Sequence, residues 1–167
     1  MDSYKVDLKD LESSAVSRHF SLGDDFFSAV QGSEIHQGNL DVALTVNETS
    51  GTYEVALQLR GTVRVECDRC LGMMNQDIEA RESIKVRLGE QFEDDGEVIT
   101  IPEKDGVLDL GWNIYEMAAL AIPIRHVHPE EQCDPKVEAI LSGEKDEEQA
   151  QQVDPRWAVL AKLKQND

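Results

Sequence analysis

Between Tyr53 and Cys67 the apolar side chains Tyr53, Val55, Leu57, Leu59, Val63, Val65 and Cys67 hold odd positions, while Glu54, Gln58, Arg60, Thr62, Arg64 and Glu66 hold even ones. A two-residue period of that length marks a strand with one buried face. Beyond Cys70 the apolar parity switches to even, at Met74, Ile78, Ala80, Ile84, Val86 and Leu88. A two-residue loop at Asp68 and Arg69 predicts this switch. Pairing Cys67 with Cys70 sets Val63 opposite Met74 and Leu59 opposite Ile78, with Arg60 facing Asp77 outside. The cysteines then cap a long hairpin, both thiols at its tip. Upstream, Leu40, Val42, Leu44 and Val46 alternate with Asp41, Ala43, Thr45 and Asn47, and the polar turn 48–51 leads into the hairpin. Three consecutive antiparallel strands are expected. Glu82 interrupts the return strand, where a bulge or a barrel-like bend is expected.

The same reading extends along the chain. Tyr4, Val6 and Leu8 suggest a short first strand and Phe20 with Leu22 another, before Asp24 caps a helical turn carrying Phe26, Phe27 and Val30 and ending at Gly32. Residues 92–96 form an acidic loop, and 98–101 a brief strand closed by Pro102 and the turn 104–106. Ile114, Met117, Ala118, Ala121 and Ile122 obey the spacing of an amphipathic helix, which Leu110 extends by a turn. Asp109 is its expected cap, Pro123 its stop, and its apolar side covers the sheet. Asp134-Pro135 and Gly143 bound a short helix over 136–142, and Asp154-Pro155 opens a last one with Trp157, Leu160 and Leu163. The expected fold class is α+β: an antiparallel, strongly bent, barrel-like sheet with a long central hairpin, covered by one main helix, plus short C-terminal helices. Residues 1–143 form one domain, 144–153 an acidic flexible linker, and 154–167 a terminal helix.

At 167 residues and 40% apolar content the chain buries a core without needing disulfides or metals. No apolar run approaches the roughly 20 residues of a membrane helix, and the start MDSYKVDLKD is too acidic and polar for a signal peptide. Three cysteines, two of them in C-x-x-C, with no export signal, place the protein in a reducing cytoplasm. No membrane association and no small-molecule substrate are expected. Glycine-rich phosphate loops, H-E-x-x-H and G-x-S-x-G are all missing from the sequence. Glu82 and Glu116 would be an acid/base pair if both were buried. The plainer account puts Glu116 at the edge of the helix face, bonded to sheet backbone or an arginine, and no enzyme is expected.

The cysteines carry the candidate chemistry. Zinc takes four tetrahedral ligands from thiolate and imidazole, and C-x-x-C on a hairpin tip is a usual half-site. Cys67 and Cys70 supply it, Gly72 suits the tight turn that aims amides at the sulfurs, and Cys133 with His128 or His126 completes a set of three cysteines and a histidine. The alternative makes Cys67 and Cys133 small buried hydrophobes and leaves both histidines solvated. A redox dithiol is disfavoured, since reactive C-x-x-C pairs sit at helix N-termini rather than between strands.

The net charge of −18 repels polyanions and favours basic protein partners. Within it, Arg60, Arg64, Arg69, Arg81, Lys85 and Arg87 outnumber five acids over residues 60–87. All but Arg69 share the outer hairpin face, where cross-strand pairing with Asp77 and Glu79 is the alternative use. Phosphate binding needs counterion release, which the global field opposes. The hairpin therefore offers at most a local contact with RNA, and the acidic stretches 90–105 and 130–154 suit a basic partner. Arg60, Arg64, Arg69, Glu116 and Trp157 are the candidate partner-facing residues.

Cys67-Asp68-Arg69-Cys70-Leu71 resembles the C-x-R-C-L signature of the YceD-like proteins, a bacterial and plastid family tied to accumulation of large-subunit ribosomal RNA. Residues 114–123, a glutamate before an apolar run ending in proline, resemble the family's helix. Asp154-Pro155-Arg156-Trp157, with Leu160 and Leu163, is similar to its usual ending. Many members carry a second cysteine pair after the helix, where this chain has only Cys133, so His126 or His128 would stand in. The resemblance implies a non-catalytic ribosome-biogenesis factor acting on large-subunit RNA through a ribosomal protein or assembly factor. A reading from another class is a zinc- or thiol-dependent acidic adaptor or sensor that mimics nucleic acid.

Overall fold

In the computed structural model, which describes residues 3–9, 11, 15–129 and 132–141, the chain runs β1 (Lys5–Asp7), β2 (Ala15–Leu22), α1 (Asp24–Val30), β3 (Gln37–Thr49), β4 (Thr52–Glu66), β5 (Met73–Gly89), β6 (Glu93–Asp94), β7 (Val98–Pro102), β8 (Val107–Asp109), α2 (Gly111–Leu120) and α3 (Pro135–Leu141). Strands β2-β3-β4-β5-β7-β6 make one sheet in that order, and β1 pairs with β8 in a small second one. The expected three-strand antiparallel run is present as β3, β4 and β5. The sheet as a whole is mixed, because β7 lies parallel to β5. Two chain reversals flank β6, which runs antiparallel to β7, so β7 emerges in the direction of β5. Nor is the sheet a barrel: β2 and β6 stay at opposite edges.

Most residues that alternation marks as inward are buried, and Tyr53, Met74, Ala80 and Leu88 are partly so. Val55, Leu57, Leu59, Val63, Val65 and Cys67 of the outgoing arm, and Ile78, Ile84 and Val86 of the return arm, are buried. The register differs from expectation by two residues. Val65 faces Met74, Gly61 faces Ile78 and Arg60 faces Glu79, because the tip is a six-residue loop in which the Cys67 N–H bonds to the Gly72 carbonyl at 2.9 Å. An even slip keeps every side chain on its expected face. Pairing runs unbroken from Thr52↔Arg87 to Glu66↔Met73, with no bulge at Glu82. That carboxylate is exposed, so nothing requires the backbone to turn it out of a core.

Helix α2 lays Ile114, Tyr115, Met117 and Ala118 into the core beside Leu110, and α1 adds Phe26 and Phe27. Asp109 accepts the Gly111 N–H at 2.9 Å, serving the helix start from one residue outside the cap. Asp24 does not cap α1. Its Oδ1 takes the Gly38 N–H at 2.9 Å, and α1 closes on Gln31 in the left-handed conformation (φ 56) rather than on Gly32. Gly32 instead makes room for a ring: a Cβ there would lie 1.9 Å from Tyr115. The Tyr115 hydroxyl accepts the N–H groups of Glu34 (2.8 Å) and Ile35 (3.1 Å), fixing the segment between α1 and β3. Leaving such a buried N–H unpaired costs about 1–3 kcal/mol.

Helix α3 begins at the expected Asp134-Pro135 signal, with Asp134 Oδ1 accepting the Lys136 N–H at 2.9 Å. Gly143, the linker at 144–153 and the terminal helix with Trp157 lie outside the described residues.

Candidate metal centre

The β4–β5 loop and the segment after α2 are joined by a reciprocal pair of hydrogen bonds between Asp68 and His126. The Asp68 N–H bonds the His126 carbonyl at 2.9 Å, and the His126 N–H returns to Asp68 Oδ2 at 2.8 Å. The His126 ring Nδ1 lies 3.0 Å from the Pro123 carbonyl. His126 is thus a clasp between loops. Two residues on, His128 sets Nδ1 3.3 Å from Cys70 Sγ and 3.9 Å from Cys133 Sγ, while Cys67 Sγ and Cys133 Sγ lie 3.9 Å apart. The four donor atoms of Cys67, Cys70, His128 and Cys133 all fall within 4.8 Å of one another. Among the two histidines the sequence left open, the tertiary structure brings His128 to the thiols.

This donor set fits zinc. Zn–S bonds of about 2.3 Å in a tetrahedron put sulfurs about 3.8 Å apart. All three thiols are free, Cys67 and Cys133 are buried, and Cys70 and His128 are half-buried, which shields a bound ion while leaving an entry side. The outer partners are also in place. The Arg69 and His128 N–H groups each point at Cys67 Sγ at 3.4 Å, and His128 Nε2 lies 3.3 Å from the Met73 carbonyl, an arrangement that leaves Nδ1 free to ligate. The residue that bends the loop is Leu71, in the left-handed region (φ 59), rather than Gly72. Gly72 contributes its backbone amide near Cys70.

The electrostatics follow from these contacts. Burial opposes the Cys67 thiolate, but the amides of His128, Cys70 and Arg69 outweigh it and bring the thiol down to about 6. The Asp134 and Gly72 amides lower Cys70. Burial disfavours the His128 cation, yet its contacts with the Cys67 and Cys70 sulfurs hold its pKa above the ordinary value. Burial, followed by the neighbouring thiols, pushes Cys133 up to about 11. A metal placed here would meet two thiols whose acidity is raised and a third that would have to give up its proton to ligate.

The other candidate residues are scattered. Arg60 and Arg64 are exposed on the outer sheet face, and Arg64 Nη1 donates to Gln37 Oε1 at 2.9 Å. Arg69 pairs with Glu138 of α3 at 3.2 Å. Of the anticipated cross-strand partners, Asp77 accepts from the Thr62 hydroxyl and Glu79 pairs with Arg81 on its own strand at 3.3 Å. Glu116 is exposed on α2, as Glu82 is on β5, so the two buried carboxylates that acid/base chemistry would need are not there. Sequence reasoning missed a groove beside the cluster, lined by Leu71, Met73, Leu120 and Ile124. The available signal was an apolar residue out of phase: Met73 sits on the outer parity, and Leu120 lies off the α2 stripe.

A family model described as "Large ribosomal RNA subunit accumulation protein YceD" matches residues 55–164, well over half of the chain, and spans all four clustered side chains. No curated protein and no solved structure matches the chain.

Proposed function

Because the chain belongs to the YceD family of large ribosomal RNA subunit accumulation proteins, we propose that it is a non-catalytic, cytoplasmic ribosome-biogenesis factor that works through a basic protein partner. The family match carries this reading. The charge supports the choice of partner: a molecule at −18 approaches a basic ribosomal protein or assembly factor far more readily than naked phosphate backbone. No helix among the described residues is long and apolar enough to cross a membrane.

Cys67, Cys70, Cys133 and His128 would hold a zinc ion, whose contribution is a structural cross-link between distant parts of the chain. The chain's own part is to present the donors. The β4–β5 loop aims two thiols, the Asp68–His126 clasp delivers His128, and the Asp134 turn sets Cys133 before α3.

Two measurements test the reading. Co-sedimentation with precursor large subunits, lost at high salt, is expected. Absence of co-sedimentation at every salt concentration would overturn the biogenesis role in favour of an acidic adaptor that mimics nucleic acid. Metal analysis of purified protein should give one equivalent of zinc, with Cys70→Ser well below half. A wild-type value under half an equivalent would reduce the cysteines to packing residues.

A further inference from the structure

The groove beside the metal-type cluster is apolar and faces solvent. Leu71 is 73% exposed, Leu120 80% and Ile124 103%, and they line the same depression of about 610 Å³ with Met73 and Ile122. Its rim carries Glu34, Glu66 and Asp68, and no lysine or arginine among the described residues lines it. The occupant it fits is therefore a segment with an apolar stripe and basic flanks.

The chain carries one such segment. Residues 155–166 contain no acid in a protein with 34 of them, and Arg156, Lys162 and Lys164 accompany Trp157, Leu160 and Leu163. At spacings of three, those apolar residues share one side of the helix that the sequence predicts there. Its tether is short enough to favour the groove and long enough to reach it. Cys133, whose Sγ lies 3.9 Å from that of the groove-lining Cys67, sits just before the seven-residue α3. Glu138 of α3 is pinned to Arg69 of the β4–β5 loop at 3.2 Å. A seven-residue helix advances the chain about 10 Å. The dozen residues 142–153 then span up to roughly 40 Å when extended.

We propose that the C-terminal segment 154–164 docks in this groove of its own chain, Trp157, Leu160 and Leu163 covering Leu71, Leu120 and Ile124, with its basic residues against the acidic rim. The assignment is independent of the ribosomal reading. A tether of this kind holds the segment at a local concentration on the order of 1 mM, so even docking with a constant of about 100 µM keeps about nine-tenths of it seated.

The full-length protein tests this directly. Trp112 and Trp157 are its two tryptophans, so Trp112→Phe leaves Trp157 as the reporter. Its emission and acrylamide quenching should be those of a shielded indole, at every protein concentration. Leu120→Asp with Ile124→Asp, both at exposed positions, should weaken docking about a hundredfold, which leaves about a tenth of the segment seated and Trp157 as accessible as in the denatured chain. Leu120→Ala with Ile124→Ala serves if the aspartates disturb folding. Zinc content, which reports the fold, should stay unchanged, and the melting temperature should fall only by the few degrees that loss of the docked state itself accounts for. An indole already fully accessible in the parent overturns the proposal, as does shielding indifferent to both groove pairs. Shielding that grows with protein concentration overturns it too, because the occupant would then come from a second copy.

Discussion

At the residue scale, two histidines two positions apart have different work. His128 faces the thiols through Nδ1, whereas His126 ties the post-α2 segment to Asp68 mainly through its backbone. His128→Ala should therefore lower zinc affinity at least about tenfold, as loss of a ligand does, while His126→Ala retains stoichiometric metal. Chelator competition measures both. The thiols also set a pH dependence for the metal-free protein. Cys67 is depressed from the ordinary 9.0 to about 6, so its thiolate contributes stability that is complete above pH 9 and is lost as pH falls through 6. Cys133 is raised to about 11, so its neutral thiol contributes stability that is complete below pH 9 and is lost as pH rises through 11. In chelator, the denaturant midpoint should fall on both sides. Cys67→Ser should shrink the acid-side decline to the part that the lowered Cys70 contributes, and an undiminished decline would assign it to other groups.

At the element scale, the faces of the long hairpin depend on parity rather than on the exact turn. Its loop is longer than the C-x-x-C spacing suggests, yet a register two residues from the expected one keeps the core side chains inside. Gly61 in the middle of β4 has no such latitude. A Cβ there would stand 2.0 Å from the Asn39 carbonyl oxygen and 2.9 Å from Leu40 Cα, both backbone atoms of β3. Strands β3 and β4 would have to separate, so Gly61→Ala should destabilise by about 1–3 kcal/mol in denaturant unfolding. Gly51→Ala makes a useful contrast. Nothing lies within 4 Å of a Cβ at that turn, and its φ of 80 makes the loss purely conformational.

At the scale of the whole molecule, the open sheet separates two surfaces. Its inner face packs against α1 and α2, while the outer face interleaves Arg60, Arg64, Arg81 and Lys85 with Glu54, Asp77 and Glu79. Such a face is locally balanced within a chain of net charge −18. Attraction to a basic partner should thus come from the total field and be screened by salt. Raising ionic strength from about 0.1 M to about 1 M shortens the screening length from about 10 Å to about 3 Å, and partner affinity should fall at least about tenfold. Titration of the complex by calorimetry at the two salts checks this. Affinity that does not change would place recognition in apolar contacts instead.

The sequence by itself determined which residues are inside. Alternation at 53–67 and 74–88, and the 110–122 stripe, depend only on local backbone geometry, which repeats along the chain and leaves its mark there. It also marked the thiol pair Cys67 and Cys70 at the hairpin tip and the turn that opens α3. Tertiary structure alone decided that the sheet is open and mixed, that His128 rather than His126 joins the thiols, and that Leu71, Leu120 and Ile124 form one groove. The histidine choice and the groove depend on where segments some fifty residues apart come to rest, and the parallel pairing of β5 with β7 depends on the two reversals around β6. A one-dimensional pattern records which side of an element is apolar, but distances between elements are set by packing and by hydrogen bonds such as the Asp68–His126 clasp.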